Sequence, residues 1–352
     1  MWVRSGLFTR RGMSIDLRSD TVTQPTPEIR EAMCRAKVGD DVMDCDPTVA
    51  RLEDMSAEIL GKEAGMFVPS GTQSNLCALL SHCGRADEYL VGQTAHTYLF
   101  EGGGAAVLGS IQPQSLDQEE DGTLALDKLA ALVKPDDFHF ARTKLLCLEN
   151  TTWGKALPLD YLKLVQSFAS DYQLSLHLDG ARLFNASAAT GVPAVQLAKP
   201  FESVSICLSK GLGAPVGSVL VASASFIKEA KRWRKMLGGG MRQSGMLAAA
   251  GIYVLENHID RLIEDHENAR QLAKICDRVY GLSATIIKND LLLKRFSKSR
   301  KKQLEDPHHP IYHFTSPENK LNDPNGLSFW KGYWHLFYQL LPLSTLLHHL
   351  LQ

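Results

Sequence analysis

The chain has 352 residues, 44% of them hydrophobic and 22% charged, which suits one large soluble α/β domain with a smaller second one. A formal net charge of −1 supplies no field to recruit nucleic acid or an anionic membrane, so neither is expected as a partner. The 7 cysteines are odd in number, scattered and free of CxxC pairs, which argues against a zinc site or disulfide framework and for reduced thiols in a cytoplasmic setting.

Residues 1–13 read as an N-terminal extension. Arg4, Arg10 and Arg11 without an acid give it a faint presequence character, and Met13 opens the domain proper. From there to about residue 280, apolar strand-like runs alternate with helix-length segments. Gly65–Val68, Lys144–Leu148, Leu174–Leu178 and Val204–Leu208 are the clearest runs. Such alternation implies crossover connections, hence a mainly parallel sheet with helices on both faces.

Ligands of open parallel sheets collect beyond the carboxyl ends of the strands, and the candidate groups fall at such ends. Ser70-Gly71-Thr72 lies between the first run and a helix, where amides and a hydroxyl cradle a phosphate or simply cap the helix. His96 follows the run YLVGQ and can stack on an aromatic ligand or act as a base; His139 is a weaker candidate of the same kind. Asp179 ends LSLHLD, and a carboxylate there can keep a pyridine nitrogen protonated. Arg182 stands three residues on, able to fork a carboxylate. Lys210 closes SVSICLSK ahead of Gly211, Gly213 and Gly217, where a lysine can lose its proton and form a Schiff base with an aldehyde cofactor. No metal ligand set is expected.

Past residue 280 the rhythm stops. Residues 281–308 include KRFSKSRKK, six basic residues in nine positions from Lys294, read as a solvated linker. Residues 309–352 carry a new, aromatic composition with one expected β-hairpin around FWKGYW.

Long ordered segments carry a resemblance: IDLRSDTVTQPT, VGDDV, FVPSGTQSNL, HTYLFEGGGAAVLGSIQPQ, HFARTKLLCLENT, HLDGARLFNA, CLSKGLGAPVGS and RWRKMLGGGMRQSGMLAAAGIY. Over residues 14 to about 274 the chain resembles the low-specificity L-threonine aldolases, fold-type I pyridoxal 5'-phosphate enzymes. The resemblance implies Lys210 as the Schiff-base lysine, Asp179 on the pyridine nitrogen and His96 on the ring. It gives Gly71, Thr72 and Arg242 to the phosphate, with Lys235 reaching from a neighbouring subunit of a homotetramer. Ser19 and Arg182 would bind the carboxylate of a β-hydroxy amino acid, and His139 would sit near its hydroxyl. The implied reaction is aldol cleavage of threonine or allo-threonine to glycine and acetaldehyde.

Departures from the family pattern carry expectations of their own. Met43-Asp44 stands where the family has Tyr-Gly, and Trp153 stands near the expected pocket. The family's small C-terminal domain, with a second substrate arginine, has no counterpart here, and each lost charge-assisted contact is worth roughly 1.5–3 kcal/mol. In its place residues 309–339 resemble the start of an invertase- or levanase-like β-fructofuranosidase, a β-propeller fragment in which Asp323 takes the nucleophile position. Three readings follow: a lyase with lowered activity, an inactive truncated chimera, and a glycosidase resting on Asp323.

Overall fold

The computed structural model describes residues 19–280 and two short strands, 327–330 and 333–336. Seven strands form one sheet: β1 (Ala64–Val68), β2 (Asp87–Gly92), β3 (Gln112–Leu116), β4 (Arg142–Glu149), β5 (Ser175–Asp179), β6 (Ser203–Cys207) and β7 (Ser218–Ala222). Their order is β1-β7-β6-β5-β4-β2-β3. Strands β3, β2, β4, β5 and β6 run parallel; β7 alone is reversed, pairing antiparallel with both β6 and β1. Two reversals leave β1 parallel to β6, so the carboxyl ends of β1, β2, β4, β5 and β6 share one edge.

Burial explains the strand sequences. In β1, Met66 and Val68 pack on one face with Leu220 and Ala222 of β7, beneath the helices Gly71–His82 and Ala224–Met236. Phe67, Val219 and Val221 turn to the other face, under Pro47–Leu60, Leu159–Asp171 and Gly245–Asn257. Strands covered on both sides read as continuous apolar runs, which is why four of them were visible in the sequence.

Helix starts are fixed locally. Asp46 accepts from the amides of Thr48 and Val49 with Pro47 at the first helical position, and Gly61 ends that helix in the left-handed conformation, φ 65°. Ser70 caps Gly71–His82 by accepting from Gln73 at 3.2 Å. The expected hairpin is present as β8 (Leu327–Trp330) and β9 (Tyr333–Leu336), paired antiparallel. The N-terminal arginines, the basic stretch and Asp323 lie outside the described residues. Among the described residues no helix is long and apolar enough to cross a membrane.

Candidate active site

The shared carboxyl edge gathers the site. In the β4–β5 register Glu149 faces Asp179, and Asp179 is paired in turn with Ser205 of β6. Three residues beyond β6 stands Lys210, whose carbonyl accepts from the Thr23 hydroxyl at 3.0 Å, across 187 residues of sequence. His96 opens a short helix after β2, and its amide donates to Glu149 Oε2 at 3.0 Å.

A buried polar cluster occupies the centre. Asn75, in the second turn of Gly71–His82, donates from Nδ2 to Asp179 Oδ2 and to Glu101 Oε1, both at 2.8 Å. Glu101 Oε1 also lies 2.9 Å from His96 Nδ1. Asp179 Oδ1 accepts from the Ala181 amide at 3.1 Å. Behind them His177 Nε2 is 3.2 Å from Asn75 Oδ1, and its Nδ1 is 2.8 Å from Ser203 Oγ, itself 2.7 Å from His82 Nε2. One ligand atom each from His96, Glu101 and Asp179 falls within 4.8 Å of the others.

These contacts set the charges. Glu101 accepting at Nδ1 makes His96 hold its proton to a higher pH than a free histidine, against the opposing effect of burial. Burial raises the Glu101 and Glu149 carboxyls, and the charge of Asp179 adds to the effect on both. The Lys210 ammonium bears on His96, Glu149 and Cys207, which places it within electrostatic reach of the cluster.

The residues fit a phosphorylated pyridine aldehyde. A Cβ on Gly71 would stand 2.8 Å from Cys207 Sγ, so the first turn of Gly71–His82 presses against the strand that leads to Lys210. A Cβ on Gly239 would stand 1.7 Å from Gln73 Oε1, so the Gly238–Gly240 loop lies on that same turn. The first amides of a helix have no partner within it and are free for an anion. The buried Asp179 carboxylate is held in a fixed orientation by donors on both oxygens, as the partner of a ring nitrogen must be.

The edge therefore assembles Lys210, Asp179, His96 and the Gly71-Thr72 turn as the sequence suggests. Arg182 is nearby but engaged: Nε and Nη2 donate to Asp20 Oδ2 and Oδ1 at 2.8 and 2.7 Å. Ser19 caps a short turn beginning at Asp20, its hydroxyl accepting from the Thr21 amide.

His139 stands apart from this cluster within one chain. It precedes β4, so within one chain it lies at the end of the sheet opposite Glu149. Its side chain is 66% exposed and its Nδ1 is 2.6 Å from Asp137. Arg242 and Lys235 flank the Gly238–Gly240 loop, but Arg242 Nη1 is paired with Asp40 at 2.6 Å and Lys235 is exposed.

Asn75, Glu101, Glu149 and Asp20 escaped the sequence reading. Each lies inside one of the segments that carry the resemblance, which marks the segment and not the residue's role.

A lysine and a carboxylate at neighbouring strand ends, with a glycine-led helix start beside them, define the class: a pyridoxal-phosphate-dependent α/β enzyme. Comparison with known proteins makes it specific. The Beta-eliminating lyase family profile matches residues 16–290. The low specificity L-threonine aldolase of Escherichia coli (strain K12) is 62% identical over 260 residues, covering 74% of this chain and 78% of that one. The low-specificity L-threonine aldolase 1 of Arabidopsis thaliana is 47% identical over 279 residues, 78% of each chain. A solved threonine aldolase from Leishmania major shares the fold, with TM-score 0.67, 20% identity, and 75% and 79% of the two chains covered. The chain belongs to the beta-eliminating lyase family, among the low-specificity L-threonine aldolases. A second profile, the Glycosyl hydrolases family 32 N-terminal domain, matches residues 313–350.

Proposed function

We propose that the chain cleaves L-threonine and L-allo-threonine to glycine and acetaldehyde, with pyridoxal phosphate held at Lys210. The observation that carries this is the convergence of Lys210, Asp179 and His96 at one sheet edge, in a chain 62% identical to an L-threonine aldolase. When bound, the cofactor withdraws electrons from the substrate α-carbon, so that a bond to it can break.

The chain's own groups do the rest. Amides of Gly71 and Thr72 would hold the phosphate, with Arg242 adding charge from the loop above and Lys235 reaching from a neighbouring subunit. Asp179 would pair with the pyridine nitrogen of the cofactor, and His96 would stack on its ring. Arg182, backed by Asp20, presents its remaining N–H edge to the substrate carboxylate, with Ser19 beside it. The β-hydroxyl proton passes to His96 Nε2, and Glu101 at Nδ1 stabilises the imidazolium that forms. Lys210 Nζ would supply the proton that completes glycine at the α-carbon, and the proton held at His96 Nε2 would replace the one Lys210 gives up, so that none is gained or lost. His139 has no part in this scheme within one chain.

We place residues 14–280 in the aldolase domain and 281–308 in a linker. Residues 309–352 are read as a β-fructofuranosidase-like fragment, a reading that the profile match at 313–350 supports. The enzyme works as a cytoplasmic homotetramer. The profile match at 313–350 favours a second reading, fructoside cleavage through Asp323; it stands only if sucrose is hydrolysed and Asp323→Asn abolishes this.

The test is uptake of pyridoxal phosphate by the purified chain, read by absorbance and by borohydride trapping. A pyridoxyl group trapped on Lys210, lost in Lys210→Ala, together with acetaldehyde release from threonine, is the expected result. Uptake unchanged in Lys210→Ala would end the reading.

A further inference from the structure

Asn75 is 1% exposed, and its one amide nitrogen is shared between two carboxylates on different elements. We infer that Asn75 is a positioning residue whose two N–H groups clamp Asp179 and Glu101 together, and that His82, Ser203 and His177 behind it lock the amide in that orientation. Its consequence for catalysis rests on the cofactor reading above; the lock itself does not.

Counting protons leaves one assignment. Carboxylate oxygens accept, so both amide hydrogens of Asn75 are committed, one to Asp179 Oδ2 and one to Glu101 Oε1. The Asn75 carbonyl oxygen must then accept, and His177 Nε2 at 3.2 Å is the group that faces it, so that nitrogen carries the hydrogen. A neutral imidazole has one N–H, which leaves His177 Nδ1 bare to accept from the Ser203 hydroxyl at 2.8 Å. The hydroxyl proton is thereby used, and Ser203 Oγ accepts from His82 Nε2 at 2.7 Å. Burial pushes His177 down to about 3 and His82 to about 4, so neither ring carries two protons near neutrality. The flipped amide would turn its oxygen on two carboxylate oxygens.

The position of Asn75 gives the lock its use. It is on the helix whose first turn presents Gly71 and Thr72. One rigid helix thus ties the phosphate end of the site to the carboxylate under the ring nitrogen and, through Glu101, to the imidazole on the ring face. The three cannot drift independently.

The lock is tested on the cofactor-free chain by imidazole ¹⁵N NMR. His177 should be a neutral Nε2–H tautomer; an Nδ1–H tautomer overturns the lock. The clamp is tested by Asn75→Leu and His177→Leu, with folding checked by circular dichroism. Each should weaken pyridoxal phosphate binding at least about tenfold, whereas His177→Gln, whose amide can still donate to Asn75, should stay within about threefold of wild type. Wild-type affinity in folded Asn75→Leu overturns the clamp. Should wild type itself take up no cofactor, the cofactor reading fails, and the His177 tautomer still decides the lock.

Discussion

Arg182 and Asp20 meet through two parallel contacts, Nε to Oδ2 at 2.8 Å and Nη2 to Oδ1 at 2.7 Å, with both side chains largely buried. Only arginine makes this forked contact and still offers a second N–H edge, here the one that includes Nη1. Asp20 therefore aims the guanidinium and leaves it able to take a substrate carboxylate.

Arg182→Lys should lower kcat/KM for threonine by roughly 10- to 100-fold, chiefly through KM, as a charge-assisted pair worth 1.5–3 kcal/mol implies. Asp20→Asn should raise KM and lower Tm, because the arginine loses its buried counter-charge. Steady-state kinetics and thermal melts check both; an unchanged KM in Arg182→Lys would remove it from substrate binding.

Glu101→Gln should let His96 lose its proton at lower pH than in wild type, because the accepting carboxylate is the main cause of its raised value. Imidazole resonances followed through a pH titration give the answer directly. A titration that does not move would separate His96 from Glu101.

His139→Ala should leave kcat/KM within about twofold of wild type and Tm nearly unchanged, as expected for an exposed side chain that the proposed scheme does not use. His96→Ala, in contrast, should lose at least about 100-fold, the usual contribution of a positioned proton acceptor. Comparable losses in the two variants would return His139 to the site.

Gly71→Ala brings a Cβ to 2.8 Å from Cys207 Sγ. Pyridoxal phosphate binding should weaken as the helix start is pushed off the strand. Removing the sulfur in Gly71→Ala/Cys207→Ala should restore most of the lost affinity, since the clash needs both atoms. Simple additivity of the two changes would mean that the close approach is not what the cradle depends on.

Glu53 lies away from the site, beside Arg234 and Lys231, and burial pushes its carboxyl up to about 7 from 4.5. A raised folded value means the folded chain keeps a proton that the unfolded chain has released. Stability from this group is full below pH 4.5 and is lost as pH rises toward 7. Glu53→Gln cannot ionise, so its Tm relative to wild type should rise between pH 5 and pH 8. The gain corresponds to about 1–3 kcal/mol. A difference that does not change with pH would show Glu53 titrating normally.

Much of this architecture was legible in the sequence. Strands β1, β4, β5 and β6 are covered on both faces and announce themselves as apolar runs. Strand β7 was hidden because SVLVA is embedded in the glycine-rich stretch after Lys210, and the edge strand β3, QPQSL, is too polar to stand out. Lys210, Asp179 and His96 could be found because strand ends mark the ligand edge. The same rule, applied with strand direction, places His139 ahead of a run and so at the far end. Asn75 and Glu101 could not be found this way. Their roles depend on a helix and a loop meeting over β5, and a polar residue inside a helical pattern does not disclose that it is buried.

The Thr23 hydroxyl on the Lys210 carbonyl joins residues 187 positions apart, and β1 reaches its place only through β7, the last strand of the sheet to be made. Contacts of such long range close late, because the intervening chain must be ordered first. A nascent or partly folded chain therefore has no complete cradle, and cofactor capture becomes a signal that the sheet has finished assembling. Refolding followed by cofactor absorbance should lag behind refolding followed by helix content.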